Sequence, residues 1–304
     1  MKNVCKVVSV FILVNSLITI VSGANKLTEI TPEIRAKIKA AIPTRYQKPA
    51  TTRKVLVFSN SSGFVHSSTS VGNELLAQMS TATGAYTVVF NDNPATYTEK
   101  YLNGFDAILV NNATRIEKAF TGKQREYFLN FIKNGGAFIG IHSASDGGYD
   151  SWPEYSKMIG GLFAGHPWTA DKHWAMVVND TSHPINKPFT KAQFEFKDEI
   201  YCQSGPYKKA CMHTLIKIDP KNDPLKITPE ALEKITDKKK RRKAVVHDRE
   251  YPISWIKDYG KGKVFYTCFG HNAETYYVPM IADHILSGIQ YALGDLEAKM
   301  VLGK

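Results

Sequence analysis

The sequence predicts an α/β domain built on a parallel sheet with helices on both faces. Three observations carry this. Short, nearly uninterrupted apolar runs recur through the first half of the chain, as strands buried on both faces do. Amphipathic segments of helical period alternate with them. Polar, glycine-containing turns follow each run at once. A chain of 304 residues, 43% hydrophobic, can bury a sizeable core.

The N-terminus stands apart from that pattern. Met1 to Lys6 carries Lys2 and Lys6, Val7 to Val21 is mostly apolar, and Ser22-Gly23-Ala24 offers small residues for cleavage. Residues 1–24 therefore read as a secretory signal peptide. The apolar run is interrupted by Ser9, Asn15 and Ser16 and is too short to span a bilayer comfortably. No later run is long enough, so no stable membrane anchor is expected. Cys5 precedes the apolar run and is not the lipid-bearing cysteine of a cleaved leader.

Residues 25–52 form a lead-in and linker. "TPEIRAKIKAAIP" predicts a helix with Thr31 as cap and Pro32 at the first helical position. The main domain is expected over 53–295, and 296–304 is a C-terminal tail. "KVLVFS" (54–59) predicts the first strand. "STSVGNELLAQMSTATG" predicts a helix with Val71, Leu75, Leu76 and Met79 on one face and Gly84 as its stop. "YTVVF" (86–90) and "FDAILVNN" (105–112) are further strands. "TGKQREYFLNFIKNGG" predicts a helix opened by a Thr121–Gln124 capping box and stopped at Gly135. "AFIGI" (137–141) is the fourth strand. Residues 150–250, with Trp152, Trp168, Trp174 and several prolines, read as long loops and short strands. "YPISWIKD" and "GKVFYTCFG" predict a hairpin across Tyr259 to Gly262. "PMIADHILSGIQYALG" is a closing helix from Pro279 to a stop at Gly294.

The formal charge is +11, and loss of Lys2 and Lys6 with the leader makes it +9. Much of the excess is one run, Lys238 to Lys243. No aromatic residues interleave it, so it reads as a solvated loop rather than a nucleic-acid site. Cys202, Cys211 and Cys268 lack metal-binding spacing. In an oxidising compartment Cys202 and Cys211 could pair as a disulfide, whereas Cys268 sits in an apolar run as a buried thiol.

In open α/β sheets ligands bind beyond the carboxyl ends of the strands. The first strand is followed by "NSSGFVHSS" with His66. The fourth is followed by His142, Ser143 and Asp146, and the late strand ending at Phe269 by "GHNAET" with His271 and Glu274. Taken singly, each histidine is more often structural. Together, three strand-end histidines aimed at one sheet edge predict a shared cleft. The middle region adds His166 and the "KDEIYCQ" segment with Asp198, Glu199 and Tyr201. His183 and His173 read as structural; His213, His247 and His284 have no distinguishing context. Phe64, Trp152, Tyr155, Trp168 and Tyr201 could form a wall for a sugar ring, although aromatics are more often core.

"VLVFSNSSGFVH", "GGAFIGIHSASD", "WPEYSKMIGGLFAGHPW", "DEIY" and "YGKGKVFYTCFGHNAETYYVP" together resemble the ThuA-like (trehalose utilisation) family over about residues 53–295. The resemblance implies a class I glutamine amidotransferase-like fold with a flavodoxin-like parallel sheet. It also implies that Gly140-Ile141-His142-Ser143-Ala144 is the elbow that carries a nucleophilic cysteine in amidotransferases. Here that residue is His142, so glutaminase chemistry is not expected. Small flanking residues predict a strained backbone at His142. His271 and Glu274 fall where amidotransferases carry a His-x-Glu pair, with one extra residue between them.

Three functions stay open on these residues. One, whose substrate class the family resemblance implies, is an exported enzyme acting on oxidised (3-keto) or unusual glycosides, with His142 and His271 as acid and base and Glu199 or Glu274 orienting them. His66, Asp146, Trp152, Tyr155, His166 and Tyr201 would then bind the sugar. The second is a non-catalytic carbohydrate-binding protein on the same scaffold. The third is a hydrolase using a divalent metal held by His142, His166 and His271. All three take a small-molecule carbohydrate as partner.

Overall fold

The computed structural model describes residues 26–204, 211–219, 226–237, 240, 244–246 and 250–301. The expected signal peptide, Lys238–Lys243 apart from Lys240, and His247 lie outside the described residues.

Five parallel strands form one half of a nine-stranded sheet: β1 (Lys54–Phe58), β2 (Thr87–Phe90), β3 (Ala107–Asn111), β4 (Ala137–Ile141) and β13 (Gly262–Thr267). Their spatial order is β2-β1-β3-β4-β13, the flavodoxin-like arrangement. Every residue of β3 and β4 is buried, which explains their unbroken apolar sequence. β2 is the edge strand and is largely exposed, so its hydrophobicity exceeds its burial.

The sheet continues antiparallel through β12 (Pro252–Tyr259), β9 (His213–Ile218), β6 (His173–Val178) and β7 (Gln193–Lys197). The expected β12–β13 hairpin is present. The middle region is more regular than its sequence suggests, because β6, β7 and β9 widen the main sheet. β5 (Leu162–Trp168) and β8 (Ile200–Ser204) pair separately as a two-stranded ribbon. Gly165, Pro167 and Trp168 obscure the alternation of β5.

Helix α1 (Pro32–Ala41) is capped by Thr31, whose Oγ1 accepts from the Ile34 amide at 3.3 Å. It packs on α2 (Thr69–Thr83), which lies on β2 and β3. α2 ends at Gly84 and the closing helix Pro279–Leu293 at Gly294, both left-handed. The helix Lys123–Lys133 differs from expectation at its start. Gly122 is its cap, at φ 51° and ψ −129°, and no side chain caps it. Thr121 therefore sits one residue outside the helix and the capping box does not form.

Cys202 and Cys211 are not joined, so the disulfide considered from spacing does not form. Among the described residues no helix is long and apolar enough to cross a membrane.

Candidate metal centre

The elbow at the end of β4 is strained where the sequence places it. His142 has φ +47°, a conformation uncommon for any residue but glycine. It opens a 3-10 turn, His142–Ser145, rather than an α-helix. Neighbours hold it there: Tyr266 Oη donates to the His142 carbonyl at 2.8 Å, and Tyr155 Oη donates to the Ala144 carbonyl at 2.9 Å. The imidazole is fully buried. Its Nδ1 lies 2.7 Å from the Cys268 carbonyl, which can only accept. Nδ1 therefore carries the hydrogen, and Nε2 presents a lone pair with no hydrogen-bond partner.

Three further side chains converge on that lone pair. The His66 ring lies 4.8 Å from the His142 ring and 5.0 Å from that of His271, which is 5.3 Å from His142. Glu199 stands between them. Its Oε1 is 3.1 Å from His271 Nδ1 and 3.8 Å from His142 Nε2. Its Oε2 is 3.2 Å from His166 Nδ1. One ligand atom each from His66, His142, Glu199 and His271 fall within 4.8 Å of one another.

The nitrogens His66 Nδ1, His142 Nε2, His166 Nδ1 and His271 Nδ1 are all buried without a hydrogen bond, since the close approaches to Glu199 lack hydrogen-bond geometry. A buried unsatisfied polar atom costs about 1–3 kcal/mol. A bound cation would satisfy His66, His142 and His271 together, while His166 faces the other oxygen of Glu199.

The electrostatics of His142 and His66 agree with this, whereas those of His271 reflect its carboxylate neighbours. Burial, then the neighbouring imidazoles, hold His142 well below its ordinary value, and burial takes His66 down to about 3. Both stay neutral, as metal-ligating imidazoles must be. For His271 burial acts downward, but Glu199 and Asp198 raise it overall. Three imidazoles and one carboxylate suit a first-row divalent ion such as zinc.

Asp198 builds the loop that delivers His271. It is fully buried and accepts from the Gly270 amide (2.7 Å), the Asn272 amide (2.9 Å), Thr275 Oγ1 (3.0 Å) and the Glu199 amide (3.0 Å). Burial pushes its carboxyl up to about 6 against the pull of these donors. Gly270, at φ +128°, permits the turn, because a Cβ there would lie 2.5 Å from Tyr276 Oη. Sequence reading noted Asp198 beside Glu199 but gave it no role.

Other expected site residues fall elsewhere. Glu274 is exposed, and its charge bears on Lys37 and Tyr277 instead. Trp152 and Tyr155 are core, packed on each other and on Phe128. Trp168 is buried against Tyr251. His166 is not among the four convergent ligands but sits on the far oxygen of Glu199, with its side chain 41% exposed. Asp146 accepts from Tyr149 Oη, and its charge reaches Tyr201. Tyr201 does line the site: its ring is 4.4 Å from His142 and its Oη 3.4 Å from His66 Nε2. Phe64 packs on His66 at 4.8 Å while 47% exposed. His183, His213 and His284 are buried away from the cluster.

Residues 54–292 match the ThuA family, described as trehalose utilisation. The chain belongs to the ThuA family. Solved structures share its fold: a putative ThuA-like protein from Bacteroides uniformis is 21% identical, with a TM-score of 0.62 over 82% of this chain and 94% of that one. Another from Parabacteroides merdae is 18% identical, with a TM-score of 0.55 over 80% of this chain and 90% of that one. No curated protein matches the chain. This ThuA-family protein thus has the glutamine amidotransferase-like fold and a carbohydrate-related family setting, with a histidine at the elbow. Cys268 does not substitute as a nucleophile, because burial pushes its thiol far up.

Proposed function

We propose that this ThuA-family protein is an exported, metal-dependent enzyme that cleaves oxidised glycosides by elimination. The observation that carries the reading is the convergence of His66, His142 and His271 on Glu199 with their nitrogens buried and unpartnered. His142, fully buried with Nδ1 committed to Cys268, is a poor proton carrier and a good ligand. A divalent ion in this cluster would polarise a substrate carbonyl as a Lewis acid. The basic, apolar and small-residue pattern of residues 1–24 supports export.

A glycoside oxidised at carbon 3 suits such a centre, because the ketone acidifies the hydrogen on carbon 2. Removal of that proton and departure of the glycosidic oxygen from carbon 1 leave a C1–C2 double bond, and the leaving oxygen takes up a proton. His166 is the group placed to move these protons. Its Nδ1 faces Glu199, which orients the ring, while much of the side chain remains open. Phe64, exposed and packed on His66, supplies apolar surface for the sugar.

The test is turnover of a 3-keto-disaccharide by protein loaded with a divalent metal. The reading expects release of the free sugar and an unsaturated 3-keto product, lost on chelation and restored by metal. Metal-independent turnover, or none with metal bound, would refute it.

A further inference from the structure

A second concavity opens on the same edge of the sheet, beyond the carboxyl ends of β1 and β2. Its volume is about 390 Å³, within the range of small-ligand sites. It uses no residue of the metal cluster. The loop that carries His66 contributes Ser59 and Asn60, α2 contributes Asn73, and the end of β2 contributes Phe90 and Asp92.

Its polar groups are fixed and only partly used. Asp92 Oδ1 accepts from the Ser59 amide at 2.6 Å and the Asn60 amide at 3.1 Å, while Oδ2 takes no bond among the described residues. Asn73 Oδ1 accepts from Ser59 Oγ at 2.9 Å and Asn111 Nδ2 at 2.8 Å, which leaves the Asn73 amide hydrogens unspent. A held carboxylate oxygen and a held amide donor stand ready for hydroxyl groups.

Its apolar part is unusual for an exposed surface. Phe90 is 44% exposed and Leu27 is 48% exposed, and both line this concavity. Among the described residues no lysine or arginine lines it, and the other carboxylate, Glu74, is engaged by Arg35. The charge balance disfavours phosphate or carboxylate ligands. Apolar surface beside a free carboxylate oxygen and an amide donor matches a pyranose, with its apolar C–H face and ring of hydroxyls.

We infer that this concavity is a binding subsite for an uncharged saccharide, distinct from the metal cluster. Saturation-transfer NMR and titration with trehalose, maltose, cellobiose and glucose 6-phosphate test it. At least one neutral disaccharide should bind saturably, and the phosphate should not compete. Asp92→Asn and Phe90→Ala should each weaken binding by about tenfold or more, the loss of one good contact. Phe90 is exposed, so its truncation keeps the fold even if Asp92→Asn perturbs the loop. Glu199→Gln, which alters only the metal cluster, should leave this binding intact. The inference falls if no neutral sugar binds, if glucose 6-phosphate binds better, or if binding is lost in Glu199→Gln but kept in both concavity variants.

Discussion

His142 combines three demands that one small turn must meet. Its φ of +47° favours glycine or asparagine, its ring is packed among His66, Tyr201 and His271, and its Nδ1 satisfies the Cys268 carbonyl. A ring exposed in the cleft would be cheap to truncate, but this one is fully buried. His142→Ala keeps the strained backbone, opens a cavity and orphans a carbonyl, so we expect a loss of about 2–4 kcal/mol in denaturant unfolding. His142→Asn tolerates the left-handed backbone and should fold more stably than the alanine variant. It should still weaken divalent-metal binding by more than about 100-fold, since outer partners alone cost 10–100-fold. Equal stability of the two variants in urea titrations would show that the backbone strain is unimportant. At this scale the sequence was informative about His66, His142 and His271, because each follows a recognisable strand, whereas Glu199 was noted only within its segment. Glu274, close to His271 in sequence, is exposed within the 3-10 segment Ala273–Tyr277, where its charge acts on Lys37 and Tyr277. Glu274→Ala should accordingly leave metal affinity, measured by calorimetry, within about twofold of wild type, as for most exposed substitutions.

At the scale of elements, Asp198 joins the entry to β8 to the turn after β13. Two segments far apart in sequence are thereby held so that Glu199 and His271 meet. Asp198→Ala leaves four donors without their acceptor. We expect metal affinity to fall about 10–100-fold although Asp198 touches no ligand atom, the usual effect of a supporting partner. A variant with unchanged affinity and an intact circular-dichroism spectrum would remove Asp198 from this role. The parallel strands were legible because burial on both faces leaves apolar runs. The antiparallel extension beyond β12 was not, because β7 reads Gln-Phe-Glu-Phe-Lys with its charges outward; nor was the separate ribbon, where β5 contains Gly165 and Pro167 and its ladder with β8 shifts register. His166 lies within that irregular stretch of β5, so the same feature that hid the strand bears on where the side chain sits.

For the whole molecule, several buried histidines make acid the vulnerable side. Burial, with smaller effects of their neighbours, holds both His183 and His284 near 4, below the ordinary 6.5, and His66 near 3. The unfolded chain binds these protons first as pH falls. Stability from these groups is therefore present above about pH 6.5 and lost progressively between there and pH 4. His271, Asp198, Asp92 and Asp283, all raised, act in the opposite sense, against His66, His142, His183, His213 and His284, all lowered. Metal-free protein should melt markedly lower at pH 4.5 than at pH 7.5, and scanning calorimetry checks this. A melting temperature independent of pH over that interval would contradict the burial of these rings.

The account turns on whether His66, His142, Glu199 and His271 act together as a metal centre. The most direct measurement is elemental analysis with calorimetric titration of the purified, folded protein, alongside Glu199→Gln and His142→Asn. The account predicts about one tightly held first-row divalent ion per chain, a rise in melting temperature on loading, and loss of both in each variant while circular dichroism stays native. A wild-type protein that binds no divalent ion at millimolar concentration would contradict it, as would variants that bind metal as tightly as wild type.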